Sequence, residues 1–266
     1  MLLAIDMGNT NITLGGYDGD RLVFVSRLYT ARSKSSDEYA INLLDIFRLY
    51  KVEPSDFTGA ILASVVPELT DHIVSAVKRT TGIEPIIVGG KYNGNLKIEI
   101  LPVSHLGADL IAGSIGAINK YPLPCLVADL GTATKILAID KDGTFRGCTI
   151  SPGVKISLDA LAQGTALLPS ISFTAPEKAI GENTTECMQS GIVFGTAAML
   201  DGLIKRIKNE LGYENVTVVA TGGYSPAIIP SCETEIVYDE NLLLDGLREI
   251  YENSEFGIRS SELHGN

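Results

Sequence analysis

Apolar and polar residues follow the same order twice along this chain. An apolar run, an Asp-x-Gly step, small hydroxyl or amide residues and a second apolar run begin at residues 3–11 and recur at residues 126–134. Each copy then reaches an Asp-Gly pair, at Asp18-Gly19 in the first and at Asp142-Gly143 in the second. Two apolar runs joined by a short glycine-containing step are typical of a β-hairpin. The repeat therefore predicts two related lobes, each of which opens with a β-hairpin.

Further along, the periodicity predicts a mixed succession of strands and helices. Strands are predicted at residues 2–5, 12–17, 22–27, 59–66, 85–88, 124–129, 135–140, 144–150 and 216–220. Helices are predicted from Ser36 onward and at residues 70–81, 106–119, 155–162, 189–211 and 242–251. In the first helix the expected apolar stripe consists of Tyr39, Ile41, Leu43, Leu44, Phe47 and Leu49. Strands followed by crossing helices, twice, predict an α/β fold with mixed sheets flanked by helices.

The two copies also suggest where the lobes divide. We expect an N-terminal lobe at residues 1–119, a C-terminal lobe at residues 120–256 and a flexible tail at residues 257–266. Two lobes agree with a length of 266 residues, of which 45% are apolar.

The amino-acid composition and net charge limit the classes of ligand and partner that this protein can bind. The net charge of -11 argues against nucleic acid, which binds clustered Lys and Arg, but not against ATP. No uncharged apolar run reaches about 20 residues, and the N-terminus lacks the basic start of a signal peptide, so we expect a cytoplasmic protein without a membrane span.

The cysteines lie far apart, which favours buried reduced thiols over a zinc site or disulfides: Cys125, Cys148, Cys187 and Cys232. The histidines share no spacing typical of a catalytic triad or metal site: His72, His105 and His264.

The Asp-x-Gly hairpins carry the candidate chemistry. Glycine lets the backbone approach a ligand closely, and neighbouring N–H and hydroxyl groups can face phosphate oxygens. An aspartate such as Asp6 can hold Mg²⁺ through its waters, because this ion gives up water reluctantly. An ordinary Asp-Gly turn explains one copy equally well, but two matching copies favour lobes that face each other across a nucleotide. Thr221-Gly222-Gly223 follows an apolar strand and is either a strand-end turn or a surface for adenosine.

These motifs resemble the superfamily of acetate and sugar kinases, Hsp70 and actin, and within it the type III pantothenate kinases. The resemblance runs from residue 1 to about residue 253. Its first four motifs are Asp6-Met7-Gly8-Asn9-Thr10-Asn11, Leu106-Gly107-Ala108-Asp109, Asp129-Leu130-Gly131-Thr132-Ala133-Thr134 and Ile150-Ser151-Pro152-Gly153. The others are Gly181-Glu182-Asn183-Thr184, Met188-Gln189-Ser190-Gly191, Ala220-Thr221-Gly222-Gly223 and the run from Asn241 to Leu247.

The resemblance implies an ATP-dependent kinase that phosphorylates the primary hydroxyl of pantothenate, the entry step of coenzyme A synthesis. It implies an ATP phosphate loop made of Asp6, Met7, Gly8, Asn9, Thr10, Asn11, Ile12 and Thr13, with Asp6 on Mg²⁺. Further ATP contacts are Thr132, Gly222 and Gly223. By the same resemblance Asp109 is the general base, and Asp129 is the ligand of an activating K⁺ or NH₄⁺. The pantothenate contacts are Gly107, Ala108, Asp109, Leu110 and Thr184.

The residues alone leave other interpretations open. Asp109 stands at the start of a predicted helix, where an aspartate also serves as a cap, and Thr184 could be the N-cap of the long helix. The chain also departs from the common family pattern. Leu110 stands where many members have Arg, and Lys135 where a Thr is common. Leu137 replaces an Asp, and Ile100-Leu101-Pro102 lacks the usual aromatic residue.

Small residues along the long helix are Ser190, Gly191, Gly195, Ala197, Ala198 and Gly202. They permit close packing of another helix, and with the family resemblance they predict a homodimer that uses this helix. Two alternatives to the pantothenate kinase remain. One is a nucleotide-binding regulatory protein of the same fold without the reaction, and the other is a kinase for another small hydroxy acid.

Overall fold

The structure is a computed structural model that describes residues 1–99 and 106–254. Its strands are β1 (Leu2–Met7), β2 (Asn11–Asp18), β3 (Arg21–Tyr29), β4 (Gly59–Ser64), β5 (Ile86–Ile87), β6 (Lys97–Ile98), β7 (Cys125–Leu130), β8 (Ala133–Ile139), β9 (Thr144–Pro152), β10 (Thr217–Thr221) and β11 (Val237–Tyr238). Its helices are α1 (Ser36–Tyr50), α2 (Pro67–Thr81), α3 (Ala108–Lys120), α4 (Val154–Gly164), α5 (Thr184–Leu211), α6 (Ser225–Ile228) and α7 (Leu242–Glu252). Short 3₁₀ turns lie at Pro54–Asp56 and Ile229–Ser231.

The first unit contains β1–β5, α1, α2, most of α3, and α7. Its sheet has the order β3-β2-β1-β4-β5, in which β1 pairs antiparallel with β2 and parallel with β4. The strand β1 is central and almost fully buried because its residues are apolar on both faces up to Asp6. Helices α1 and α2 pack against each other, and their buried faces share a core with β1 and β4.

The second unit contains residues 120–241 and the short strand β6. Its sheet has the order β11-β10-β7-β8-β9-β6. Read from β9 to β11, this is the order of the first sheet, with β7 in the place of β1 and β10 in the place of β4. The structure therefore confirms the mixed-sheet α/β fold and the internal repeat. It also confirms the two Asp-Gly turns, because Gly19 and Gly143 have positive φ values of 57° and 80°.

The C-terminal helix belongs to a different unit from the one we expected. Residues from Leu242 onward group with the first unit, although we placed residues 120–256 in the C-terminal lobe. The physical reason is the packing of α7 against β1, β2 and β4, which buries Leu242, Leu244 and Leu247.

The apolar stripe of α1 is only partly as predicted. Ser35 and Glu38 form a capping box that starts the helix where expected. Ile41, Leu44 and Leu49 are exposed, at 58%, 45% and 71%, because they lie off the face that meets the sheet. The buried residues of α1 are Tyr39, Ala40, Leu43, Ile46 and Phe47.

Among the described residues, α5 is the one helix whose length and apolar composition would suffice to cross a membrane. One third (33%) of its most apolar stretch is buried, and core helices of water-soluble proteins pass the same test. Its buried side chains, which include Val193, Ala197 and Leu200, pack in the core of the second unit. This helix alone is weak support for a membrane span.

The cysteines differ from the expectation. All four are free, and burial raises the pKa of the Cys125 thiol to about 12. Cys148 and Cys187, however, are exposed, so the prediction of buried thiols is wrong for them. Several predicted features lie outside the described residues: Ile100, the segment 101–105 with His105, His264 and the tail at 257–266.

Candidate functional site

The loop of the first hairpin is held by backbone bonds and by a threonine from the end of β3. The Gly8 N–H donates to the Asn11 carbonyl oxygen at 2.9 Å, which closes the turn. The buried Thr30 donates its hydroxyl to the Gly8 carbonyl at 2.7 Å and its N–H to the Thr10 carbonyl at 2.9 Å. The loop backbone is therefore fixed in position before any ligand arrives.

Asp6 lies at the end of β1, half-buried, opposite Thr13 on β2 and beside Ala63 on β4. The side chains of Met7 and Ile12, which the resemblance placed in the ATP loop, are 0% and 1% exposed and belong to the core. Because side chains alternate along a strand, these two point into the core, and the ATP contact predicted for Met7 and Ile12 concerns their backbone groups. The predicted loop residues with exposed or partly exposed side chains are Asp6, Gly8, Asn9, Thr10, Asn11 and Thr13.

The carboxylate of Asp6 suits Mg²⁺ better than it suits a metal ion that is coordinated entirely by protein side chains. The described residues contain no cluster of three or more His, Cys, Asp or Glu that could hold a metal ion. Mg²⁺ is commonly held by one or two carboxylates together with water and substrate phosphates. A single carboxylate beside a glycine-containing loop agrees with that mode of binding.

The loop of the second hairpin is also closed by a hydrogen bond from the N–H of its glycine. The Gly131 N–H donates to the Ala133 carbonyl at 3.2 Å, and Thr132 at its tip is exposed. Gly153, which precedes α4, lies directly against this loop, and a Cβ there would overlap the carbonyl oxygens of Gly131 and Thr132. The glycine of the Ser-Pro-Gly step is therefore needed to let the start of α4 approach the hairpin.

The Asp129 carboxylate is enclosed on both oxygens. Its Oδ2 lies 2.8 Å from the Lys135 ammonium, and each side chain is 15% exposed. Its Oδ1 faces Gly131 and Gly222, where a Cβ would lie 3.3 Å and 2.9 Å from that oxygen. The second hairpin and the turn after β10 thus meet at this carboxylate.

The two hairpins differ in length at their loops. In the first hairpin, residues 8–11 form the loop between the last pair of strand residues. In the second hairpin, this loop consists of residues 131–133. The second loop is therefore one residue shorter. As a result, Lys135 occupies the place opposite the aspartate that Thr13 holds in the first hairpin.

The Thr221-Gly222-Gly223 step ends β10 next to β7. Gly222 has a φ of 93°, and a Cβ there would lie 2.6 Å from the Leu130 carbonyl oxygen, so packing within the unit already requires this glycine. Gly223 is exposed, and a Cβ on it would meet nothing within 4 Å. Of the two glycines, Gly223 has open space beside it that a ligand could fill.

Helix α3 begins at the Gly-Ala-Asp step. The Gly107 carbonyl accepts the N–H groups of Leu110 and Ile111, at 3.0 Å and 3.2 Å, and the partly exposed Asp109 accepts the Leu110 N–H at 2.9 Å. Asp109 is the second residue of α3 and therefore not its N-cap, but its carboxylate interacts with the helix start, as expected for a partner of the helix dipole. The side chains of Ala108 and Leu110 are each only 8% exposed, so they mainly pack inward.

Helix α5 starts earlier than expected, at Thr184 rather than residue 189. Its N-cap is Asn183, whose side-chain oxygen accepts the Glu186 N–H at 3.0 Å. The interpretation of Thr184 as N-cap is therefore wrong: it is the first helical residue, and its side chain is exposed.

Sequence reasoning missed two residues that shape the hairpins. Thr30 lies 22 residues after Gly8 along the chain, and no local pattern links the two. Thr134 is 2% exposed, and its hydroxyl has no hydrogen-bond partner among the described residues. The signal for Thr134 was its alternation with Ile136 and Ala138, which are buried on the same face of β8, since side chains two residues apart on a strand share a face.

The fold is shared with solved structures of low sequence identity. The activator of the 2-hydroxyisocaproyl-CoA dehydratase from Clostridium difficile, solved with bound ADPNP, aligns with a TM-score of 0.53 at 13% identity, covering 98% of this chain and 97% of the activator. The (R)-2-hydroxyglutaryl-CoA dehydratase component A of Acidaminococcus fermentans gives a TM-score of 0.54 at 14% identity, covering 94% and 96%. At these identities the likeness concerns the fold alone.

Sequence relatives are much closer. A type III pantothenate kinase of Exiguobacterium sp. is 41% identical over 255 residues, which are 96% of this chain and 100% of the relative. The type III pantothenate kinase of Geotalea uraniireducens is 38% identical over 254 residues, 96% of this chain and 99% of the relative. The sequence model of the family described as type III pantothenate kinase matches residues 2–206. The chain therefore belongs to the type III pantothenate kinase family.

Proposed function

We propose that this protein transfers the γ-phosphoryl group of ATP to the primary hydroxyl of pantothenate. The product is 4′-phosphopantothenate, and the reaction is the first step of coenzyme A biosynthesis. The observation that carries this proposal is Asp109, a partly exposed carboxylate in the first turn of α3 in a chain of this family. A protein that only binds nucleotide has no need of a base there.

The first hairpin is the proposed phosphate and Mg²⁺ site. Its loop amides follow Asp6 directly, and Thr30 holds their backbone in place. Such preorganised N–H groups stabilise phosphate charge without rearrangement during the reaction. Mg²⁺, held near Asp6 through water, would neutralise charge on the phosphates.

The second hairpin and the turn after β10 are proposed to contribute further ATP contacts. Thr132 presents its hydroxyl at the exposed tip of the loop. Gly223 leaves room for a flat base against the backbone, since nothing lies within 4 Å of its Cβ position.

Asp109 is proposed as the general base. As the acceptor oxygen bonds to phosphorus, the bond from phosphorus to the ADP oxygen breaks, and the hydroxyl proton passes to the Asp109 carboxylate. The hydrogen bond from the Leu110 N–H to Oδ1 at 2.9 Å helps to orient this carboxylate.

The acceptor pocket is proposed to include Gly107, Ala108, Asp109, Leu110 and Thr184. Ala108 and Leu110 are mostly buried, so their contribution would come from the backbone rather than the side chain. Thr184, exposed at the start of α5, can offer a hydroxyl and a helix N-terminus to a carboxylate.

A cytoplasmic homodimer through α5 is part of the proposal. Gly191, Gly195, Ala198 and Gly202 are all exposed, and their spacing puts them on one face of the helix. Such a face permits close approach of a second copy. Sedimentation analysis would test this, with Gly195→Leu expected to yield monomers; a dimer unchanged in that variant contradicts the use of this face.

The activity itself is tested by incubating the protein with Mg-ATP and pantothenate and detecting products by mass spectrometry. We expect phosphopantothenate and ADP in equal amounts. Pantothenol, which lacks the carboxylate, serves as the comparison acceptor and reports whether Leu110 has weakened carboxylate recognition. ATP binding without phosphorylation of any hydroxy acid would overturn the proposal and favour a nucleotide-binding regulatory protein.

A further inference from the structure

The Asp129–Lys135 pair joins two oppositely charged groups that are largely removed from water. The residues are direct partners on the antiparallel strands β7 and β8, so their side chains leave the sheet on the same face. The Nζ–Oδ2 distance is 2.8 Å, and each side chain is 15% exposed. At this distance the contact is a charge-assisted hydrogen bond, and salt in the solvent screens it only weakly.

The surroundings leave little room for a second cation on the same carboxylate. One oxygen is taken by the ammonium, and the other faces the backbones at Gly131 and Gly222. A K⁺ ion bound to Asp129 would lie close to the positive charge of Lys135, and two like charges at such a distance repel each other. The residues present therefore do not fit the monovalent cation site that the family resemblance implies for Asp129.

The first hairpin provides an internal comparison. Its aspartate, Asp6, faces the neutral Thr13 in the equivalent position. The lysine is thus specific to the second copy of the repeat and is not required by the hairpin itself.

The ammonium group has the chemistry of the ion it would replace. NH₄⁺ is one of the two cations that the resemblance implies, and the lysine head group is an ammonium with one hydrogen replaced by carbon. We propose that Lys135, paired with Asp129 at the second hairpin, is a built-in substitute for the monovalent cation. Phosphoryl transfer by this protein then needs neither K⁺ nor NH₄⁺. This inference rests on the proposed kinase function and concerns the cation requirement of that site.

A tethered cation changes the response to salt. A lysine on the adjoining strand is present in every molecule, whereas a dissociable ion must first be bound from solution. The protein should therefore have the same ATP affinity and turnover in potassium, ammonium and choline chloride at equal ionic strength.

Two variants separate the charge of Lys135 from its volume. Lys135→Thr removes the ammonium and opens space beside Asp129, so turnover in choline chloride should fall about tenfold or more and recover in potassium or ammonium chloride. Lys135→Met removes the charge but fills the space, so its turnover should fall similarly and recover less. Lys78→Met, which breaks an exposed ion pair between Lys78 of α2 and Glu84, is the matched control and should behave as the unchanged protein.

A second readout does not depend on phosphoryl transfer. Calorimetric titration with Mg-ATP and thermal melting, each in choline and in potassium chloride, should give equal values for the unchanged protein, while Lys135→Thr should bind ATP more tightly and melt higher in potassium. Activation or tighter ATP binding of the unchanged protein by K⁺ overturns the inference, even if no variant folds. If ATP binds equally in both salts but pantothenate is not phosphorylated, the kinase proposal fails while the independence of ATP binding from K⁺ stands.

Discussion

Gly246 of α7 lies directly against the Ala112 carbonyl of α3, so closely that a Cβ on this glycine would overlap the oxygen. The contact is reciprocal, because Gly116 of α3 lies in the same way against the Leu242 carbonyl at the start of α7. Two glycines, one on each helix, thus allow the backbones to touch. Since α3 also carries Asp109, this crossing fixes the helix that presents the proposed base.

Gly246→Ala should therefore destabilise the protein through overpacking at the helix crossing. We expect a loss of about 2–3 kcal/mol in the free energy of unfolding, because backbone atoms cannot move aside as a flexible side chain can. Urea unfolding measures this loss. Gly164→Ala is the control, since nothing lies within 4 Å of its Cβ position, and it should change stability by less than about 1 kcal/mol. Equal stability of the two variants would contradict the close crossing.

Asp109→Asn should abolish most of the phosphoryl transfer and leave the fold intact. The amide oxygen can still accept the Leu110 N–H, but the side chain can no longer take up the hydroxyl proton. Turnover should fall about 10²- to 10⁴-fold, with unchanged melting temperature and ATP affinity. Asp37→Asn is the matched control, an exposed aspartate in the first turn of α1, and should keep full activity. If Asp109→Asn retains activity, the carboxylate serves only the helix start.

The repeated architecture was predictable because short, local sequence patterns indicate each of its hairpins and strands. Apolar runs, Asp-Gly pairs and glycine steps are read within about ten residues, and each maps onto a hairpin or strand end. These signals located the central strands of both sheets and most of the helices. The stripe of α1 was mispredicted because apolar residues were taken together without regard to helical phase, which separates Ile41 and Leu44 from the buried Tyr39 and Leu43.

Other features depend on contacts between distant parts of the chain. The return of α7 to the first unit depends on its packing against β1, β2 and β4 and on its close contact with α3, all of them distant in sequence, and no local pattern predicts it. The pairing of Asp129 with Lys135 depends on the hairpin register, since one residue more in the loop would put another side chain opposite the aspartate. The sequence marked Lys135 as a departure, but its partner came only from that register.

Gly223→Ala tests the proposed adenosine contact. A methyl group there meets no protein atom within 4 Å, so the stability of the protein without ligand should stay unchanged. If the base lies against this backbone, the added methyl group should weaken Mg-ATP binding about tenfold, because it holds the two surfaces apart. Calorimetric titration with Mg-ATP gives the affinity, and Gly164→Ala provides the control. Unchanged affinity would show that adenosine does not touch Gly223.

The Asp201 side chain on α5 accepts hydrogen bonds from the backbone just beyond the 3₁₀ turn at Ile229–Ser231. Because the pKa of this carboxyl is shifted by folding, we expect the contact to be sensitive to acid. Burial of Asp201 raises its pKa, but the Glu233 and Thr234 N–H groups donate to its two oxygens at 2.9 Å each, and the net pKa is below the ordinary value of 3.8. A carboxyl whose pKa is lowered by folding stabilises the fold above its unfolded pKa, and this contribution is lost as the pH falls toward the folded pKa.

Asp201→Asn should therefore lower the free energy of unfolding at pH 7 by about 1–2 kcal/mol, because the NH₂ group of asparagine cannot accept a hydrogen bond from one of these two backbone N–H groups. The difference from the unchanged protein should shrink as the pH falls below the ordinary aspartate pKa of 3.8 toward the lower pKa of the folded state, where the carboxyl loses its charge. Thermal melting at pH 7 and at about pH 3 measures both effects. Asp45→Asn, at an exposed position of α1, should show neither. A stability difference that is the same at both pH values would mean that Asp201 acts through packing rather than through its charge.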